Sequence, residues 1–210
     1  MDAIILAGGK GQRMSQEVPK PLMKVRGKAI IERQIEYLLP HTEKIIISLG
    51  HRAEEIEVFV RQRFPNQNIA FAIETQPLGT GGGLRLAMQH SHAEKVAVLN
   101  CDDIADIPLE ELQAKNEHII CVAHPRLPFG LVKEKNGFAA FEEKPLLKEW
   151  VSCGWYMFMR ETLMPLLPEK GSLEYDVFPR IQLRLHTHEG FWKPLNTPKD
   201  IEEFETMESD

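Results

Sequence analysis

The sequence has only three cysteines, Cys101, Cys121 and Cys153, in 210 residues. They form no CxxC pair and are odd in number. That excludes a disulfide framework and reads as reduced thiols in a cytoplasmic protein. No apolar run approaches the roughly 20 residues needed to span a membrane. Met1-Asp2 lacks a basic start, and Ala3 to Ala7 is too short for a secretory signal. Positive charge is not in excess: 25 Lys and Arg against 31 Asp and Glu leave a net charge of −6. A general nucleic-acid binder needs a basic face, so the balance argues against that class, whereas a nucleotide needs only a local cluster of Arg and Lys. There is no repeat, low-complexity tract or linker. Two familiar phosphate loops are also missing. Gly11 is followed by Gln12-Arg13 instead of the Lys-Ser/Thr of a P-loop. Gly9-Lys10-Gly11 begins a dinucleotide fingerprint, but Met14 stands where its third glycine belongs. That argues against an oxidoreductase.

What is present is an ordinary globular composition, 43% hydrophobic and 27% charged, expected as one domain over 1–210. Apolar runs at Ala3–Ala7, Lys44–Leu49, Ile69–Ile73 and Lys95–Leu99 read as buried strands. Helical spacing at 29–39, 53–64 and 84–90 alternates with them. This alternation predicts an α/β fold with a mostly parallel sheet covered on both faces. Further on, Ile119–Ala123 and Val151–Phe158 read as strands. Residues 130–141 read as a hairpin turning at Asn136-Gly137, and 173–183 and 199–207 as helices. On such sheets ligands bind beyond the carboxyl ends of the strands.

The most informative stretch follows the first strand. Leu6-Ala7-Gly8-Gly9-Lys10-Gly11-Gln12-Arg13-Met14 places three glycines within four residues, and Pro19-Lys20-Pro21 follows. Glycines let several backbone N–H groups turn toward one anion. Arg13 adds a planar fork of donors and Lys20 a point charge, so the loop is suited to a polyphosphate. Three more stretches follow strands. Glu74-Thr75-Gln76-Pro77-Leu78-Gly79-Thr80-Gly81-Gly82-Gly83 reads as a turn into a helix N-terminus. Asn100-Cys101-Asp102-Asp103 ends an apolar strand in carboxylates that suit a hard cation such as Mg²⁺. Glu142-Glu143-Lys144-Pro145 ends a hairpin strand. Adjacent strand residues face opposite ways, so only one of its two glutamates points inward, and Glu143 is read as that one.

Both halves of the first stretch resemble, in order and spacing, the N-terminal signature of the sugar-phosphate nucleotidyltransferases. The resemblance extends over nearly the whole chain. It implies a Rossmann-like domain of the nucleotide-diphospho-sugar transferase type, with helices on both faces. It also implies the reaction of a nucleoside triphosphate with a sugar 1-phosphate to give a nucleotide sugar and pyrophosphate. Leu6, Ala7, Gly8, Gly9 and Gly11 would cradle the nucleotide. Arg13 and Lys20 would neutralise its phosphates, and Asp102 would hold Mg²⁺.

Pro77-Leu78-Gly79-Thr80 resembles the motif that lies against the base, so Gly79 and Thr80 join the nucleotide site. Glu74, five residues before Gly79, stands where relatives read the base. A carboxylate only accepts hydrogen bonds. Guanine offers it a ring N–H beside an exocyclic amine, whereas uracil and thymine offer one N–H between two carbonyls. Glu74 therefore points to GTP, with a solvated strand-end residue as the plain reading. Gly130, Glu143, Lys144 and Gly154 resemble the sugar-phosphate side, with Ser152 where many relatives have Asn.

Two further positions depart from the pattern. Cys101 replaces a glycine, and Pro194 stands where relatives have a second metal-binding aspartate. Asn196-Thr197-Pro198-Lys199-Asp200 instead resembles the ending of molybdenum-cofactor guanylyltransferases, leaving Asn196 either as a metal ligand or as a cap for the last helix. His186 and His188 lack the cluster a metal site needs.

Glu74 with Pro77 to Gly82 looks most like the mannose- or heptose-1-phosphate guanylyltransferases. The alternatives are transfer with another base, guanylyl transfer to molybdopterin, or a non-catalytic nucleotide-sugar binding module. One activity is expected, without the extra domains some relatives carry, and a homodimer is the common default for such folds.

Overall fold

The structure, a computed structural model, describes residues 1–11, 14 and 17–207. In chain order its elements are β1 (Asp2–Leu6), β2 (Lys24–Val25), β3 (Lys28–Ala29), α1 (Ile30–Leu38), β4 (Lys44–Leu49), α2 (Ala53–Arg63) and β5 (Ile69–Ile73). Next come α3 (Gly79–Met88), β6 (Lys95–Asn100), β7 (Asp103–Ala105), α4 (Leu109–Gln113), β8 (Ile119–Ala123), β9 (Leu131–Lys135) and β10 (Phe138–Glu142). The chain closes with β11 (Val151–Met159), α5 (Arg160–Leu163), β12 (Arg184–Thr187), β13 (Trp192–Pro194) and α6 (Pro198–Thr206).

Seven strands form the central sheet in the order β12-β8-β11-β6-β1-β4-β5. β1 pairs in parallel with β4 and β6, β4 with β5, and β8 with β12, while β11 runs against both its neighbours. This is the mostly parallel, mixed sheet that the alternation predicts. Successive side chains of β1 show why the central strands are apolar on both faces. Ala3 and Ile5 pack with Ile31, Ile35, Ile56 and Leu112 on one side. Ile4 packs with Leu84, Met88 and Leu163 on the other. Helices α1, α2 and α4 thus cover one face, and α3 and α5 the other.

The expected strand bounds hold at β4, β5 and β8, where apolar runs stop at glycine or polar residues. Two expectations differ, and one pairing was not expected. α3 begins at Gly79 instead of Leu84, because its glycines are used for packing. A Cβ on Gly82 would lie 2.6 Å from the Glu169 carbonyl oxygen, so this helix start abuts the backbone of 168–171. The helix expected over 173–183 is a single wide turn, Leu173–Val177, followed by a tight one, Phe178–Arg180; Pro179 has no N–H to continue a regular ladder. Finally, Asp103–Ala105 and Trp192–Pro194 pair as a small antiparallel ribbon that the sequence reading missed. The hairpin at 130–141 is present as β9 and β10, with Asn136 and Gly137 both at positive φ. Among the described residues no helix is long and apolar enough to cross a membrane.

Candidate active site

The carboxyl ends of β1, β4, β5 and β6 open onto one cavity of about 1020 Å³. Leu6, Gly8, Gly9 and Gly11 line it from the loop after β1, and Lys20 from the turn that follows. Glu74, Gly79 and Thr80 line it from the β5–α3 connection, Asp102 from beyond β6, and Asn196 from the turn before α6. Four separated stretches of sequence that suggested nucleotide chemistry thus meet in one place. Ala7 is buried just beneath, against a side pocket of about 160 Å³ shared with Lys20 and Asp102. Arg13 lies outside the described residues.

Asp102 is held by its neighbours' backbones. Gln34 of α1 donates to the carbonyls of Cys101 and Asp103, 3.0 Å each. The Leu195 N–H donates to the carbonyl of Asp102 at 2.8 Å, and Trp155 Nε1 to that of Asp103, also at 2.8 Å. Three consecutive carbonyls are therefore satisfied by three different elements, which fixes the direction of the Asp102 side chain. Cys101, where relatives have glycine, turns its side chain into the core. Burial pushes its thiol well above the usual range, and the Asp102 charge adds to this. A thiol held protonated in this way is no nucleophile.

The Asp102 carboxylate pairs with the Lys20 ammonium. Both groups are mostly buried, so the pair is less screened than one at the surface. Next to it, burial raises the carboxyl of Asp103 to about 6, against the opposing hydrogen bond from Asn100. Asn100 Nδ2 donates to Asp103 Oδ2 at 3.0 Å and Trp192 Nε1 to Oδ1 at 3.1 Å. Pro194 is the register partner of Asp103 across the β7–β13 ribbon.

Glu74 continues β5 by one residue, its N–H donating to the Leu49 carbonyl at 2.9 Å. Its Oε2 accepts from the Leu78 N–H at 3.0 Å. No donor among the described residues meets Oε1. Thr80 is tied outward: its hydroxyl donates to Glu174 Oε2 at 3.1 Å and accepts from the Leu173 N–H at 2.9 Å.

At the C-terminal end, Thr197 is the cap of α6, in a reciprocal box with Asp200. The capping role considered for Asn196 thus falls to Thr197 alone. Asn196 gives only its backbone N–H, to Asp200 Oδ2 at 3.0 Å, and its side chain is exposed toward the cavity. Asp102 and Asn196 bring hard oxygen donors to one wall. Among the described residues no three His, Cys, Asp or Glu side chains gather into a metal-binding group. Such a wall suits Mg²⁺, which usually takes one or two protein oxygens and completes its shell with water and substrate phosphates.

The residues read as the sugar-phosphate side lie outside this cavity. Gly154 sits against the Asp103 carboxylate, and Gly130 against the Phe141 ring and the Glu143 carboxylate. Glu143 is exposed, one residue past β10. Lys144 extends its ammonium 3.2 Å from Glu203 Oε1 of α6, an acid it shares with Lys193 at 2.6 Å. Sequence reasoning missed Ser48 and Gly50, which line the cavity at the end of β4. The signal was there: a polar residue inside an apolar run, then a glycine closing it.

Residues 3–126 match the family model of the MobA-like NTP transferase domain. A mannose-1-phosphate guanyltransferase of Gibberella zeae is 33% identical over 96% of this chain and 62% of its own length. The chain thus spans about three-fifths of that relative. A D-glycero-alpha-D-manno-heptose 1-phosphate guanylyltransferase of Campylobacter jejuni is 29% identical over 97% of this chain and 98% of its own. The crystal structure of HddC from Yersinia pseudotuberculosis complexed with GMP-PN shares the fold, with a TM-score of 0.79 over 97% of both chains at 24% identity.

Proposed function

Because this chain belongs to the family of MobA-like NTP transferase domains, we propose that it is a sugar-1-phosphate guanylyltransferase. It would convert GTP and a mannose- or heptose-type sugar 1-phosphate into a GDP-sugar and pyrophosphate. Two relatives carrying names of this activity, from a fungus and a bacterium, support the reading.

An oxygen of the sugar phosphate attacks the α-phosphorus of GTP, a new P–O bond forms, and the bond to the β-phosphate oxygen breaks. The attacking oxygen is already ionised at neutral pH, so no general base is required. Catalysis rests on bringing two anions together and neutralising the charge that moves onto pyrophosphate. The glycine loop offers backbone N–H groups to the phosphates. Lys20 exchanges part of its contact with Asp102 for phosphate oxygens shared by donor and acceptor. Arg13, by the family resemblance, faces the departing pyrophosphate. Asp102 and Asn196 would hold Mg²⁺, which when bound polarises the α-phosphate. The three buried, unpaired thiols fit a reducing compartment such as the cytoplasm.

The observation that carries the choice of base is Glu74, with one oxygen fixed by Leu78 and the other meeting no donor among the described residues. A carboxylate accepts two side-by-side hydrogen bonds from guanine, whereas adenine offers an amine beside a ring acceptor and uracil one N–H between two carbonyls. Glu74→Gln is expected to lower the preference for GTP over ATP and UTP, in kcat/KM, by about tenfold or more. It should leave kcat with saturating GTP within a few-fold. An unchanged preference would remove Glu74 from base recognition.

A further inference from the structure

Three neighbouring parallel strands, β1, β4 and β5, end around the carboxylate of Glu74. Gly8 lies two residues past β1, Gly50 one past β4 and Glu74 one past β5. Neither Gly8 nor Gly50 has a positive φ, so neither needs glycine for its backbone conformation. Both need the space. A Cβ on Gly8 would lie 2.9 Å from Glu74 Oε1. A Cβ on Gly50 would fall deeper into the same oxygen and 2.8 Å from the Gly8 carbonyl oxygen. The two turns are themselves tied together, the His51 N–H donating to Gly8 O at 3.3 Å. Meanwhile Leu78, at the start of α3, holds Oε2. The carboxylate is thus anchored on one oxygen by a helix N-terminus and bounded at the other by two bare stretches of backbone.

We propose that Gly8 and Gly50 are specificity-determining positions. They form a slot that fixes the plane of the Glu74 carboxylate, and that plane selects a base carrying a ring N–H beside an exocyclic amine. This rests on the reading of Glu74 as the base-reading group. Charge alone would favour any N–H edge; two hydrogen bonds in one plane require the carboxylate to be held. A side chain at either position would swing Glu74 away and leave an acceptor of undirected geometry.

The test measures kcat/KM for GTP, ITP and ATP with mannose 1-phosphate. Inosine keeps the ring N–H and lacks the amine, so the GTP/ITP ratio reports the second hydrogen bond. Wild-type protein is expected to prefer GTP over both analogues. Gly50→Ala should reduce the GTP/ITP ratio by about tenfold, beyond any common change in kcat. Gly8→Ala should act in the same direction and less, because the atom its Cβ would crowd most is the flexible end of a side chain. In a Glu74→Ala background, Gly50→Ala should leave the ratio where Glu74→Ala has put it, since the slot then holds nothing. Melting curves accompany each variant, and if Gly50→Ala does not fold, Gly8→Ala carries the test. A GTP/ITP ratio unchanged in the glycine variants, or a Gly50→Ala effect that adds to that of Glu74→Ala, would overturn the slot while leaving the role of Glu74 intact. A wild-type protein indifferent to GTP, ITP and ATP would overturn the reading of Glu74 itself, and the slot with it.

Discussion

Asp102→Asn is expected to lower kcat for guanylyl transfer by about 10³-fold, the loss of several kcal/mol of charge stabilisation at the α-phosphate. Added Mg²⁺ should not restore it. The reason is local. Asp102 brings a carboxylate to the cavity wall, and four hydrogen bonds to the carbonyls of 101–103 fix its backbone. Asparagine keeps the shape and one oxygen but removes the charge. The Lys20 ammonium, now without its anion, should bind GTP as well or better, so KM for GTP should not rise in proportion. Lys20→Ala should also be severe. Because the two side chains are paired, the double variant should fall short of the sum of the single effects. These are read by steady-state kinetics across a Mg²⁺ titration. A kcat within tenfold of wild type for Asp102→Asn would remove Asp102 from the chemistry.

Trp155→Ala carries the largest expected cost to stability. Trp155 is fully buried on β11, opposite Leu99 of β6. Its ring meets Tyr37 edge-on, with centroids 5.7 Å apart. Removing it leaves a cavity and strips a donor from the Asp103 carbonyl, a loss of about 3–5 kcal/mol. In a chain of this size that is a fall of about 10 °C or more in Tm. Trp155→Phe separates the two contributions. It keeps most of the packing and loses only the hydrogen bond, so its cost should be about 1 kcal/mol. Gln34 still serves the Asp103 carbonyl at 3.0 Å, which limits the damage. Calorimetric melting of the three proteins checks the order wild type, Trp155→Phe, Trp155→Ala.

The parts of the fold that were legible in the sequence are those decided locally. Lys44–Leu49 is a β-branched run and Ile69–Ile73 an apolar one, both with clear stops, and their bounds follow directly. The glycine loop was legible because its chemistry is contiguous. Features decided by distant partners were not legible. The glycines at the start of α3 look like a loop until the backbone of 168–171 is packed against them. Lys144 reads as a sugar-phosphate contact beside Glu143, and only the fold, by bringing α6 back, shows Glu203 as its partner. Gly50 reads only as the close of a strand until β5 lies beside β4 and brings Glu74 to it. Pro194 reads as the loss of an acid. The β7–β13 ribbon then sets Asp103 directly across from it, a pairing no spacing in the sequence reveals.

The central claim is guanylyl transfer, and product formation tests it most directly. The protein is incubated with Mg²⁺ and each of GTP, ATP, UTP, CTP and dTTP against mannose, heptose and glucose 1-phosphates. Pyrophosphate release is followed and the nucleotide sugar identified by mass. The account predicts pyrophosphate and a GDP-sugar in equal amounts from GTP with the mannose- or heptose-type substrate, and neither product from Asp102→Ala. A UDP- or dTDP-sugar formed in preference to the GDP-sugar would contradict the role given to Glu74. Tight binding of nucleotide sugars with no pyrophosphate from any pair would contradict transfer altogether.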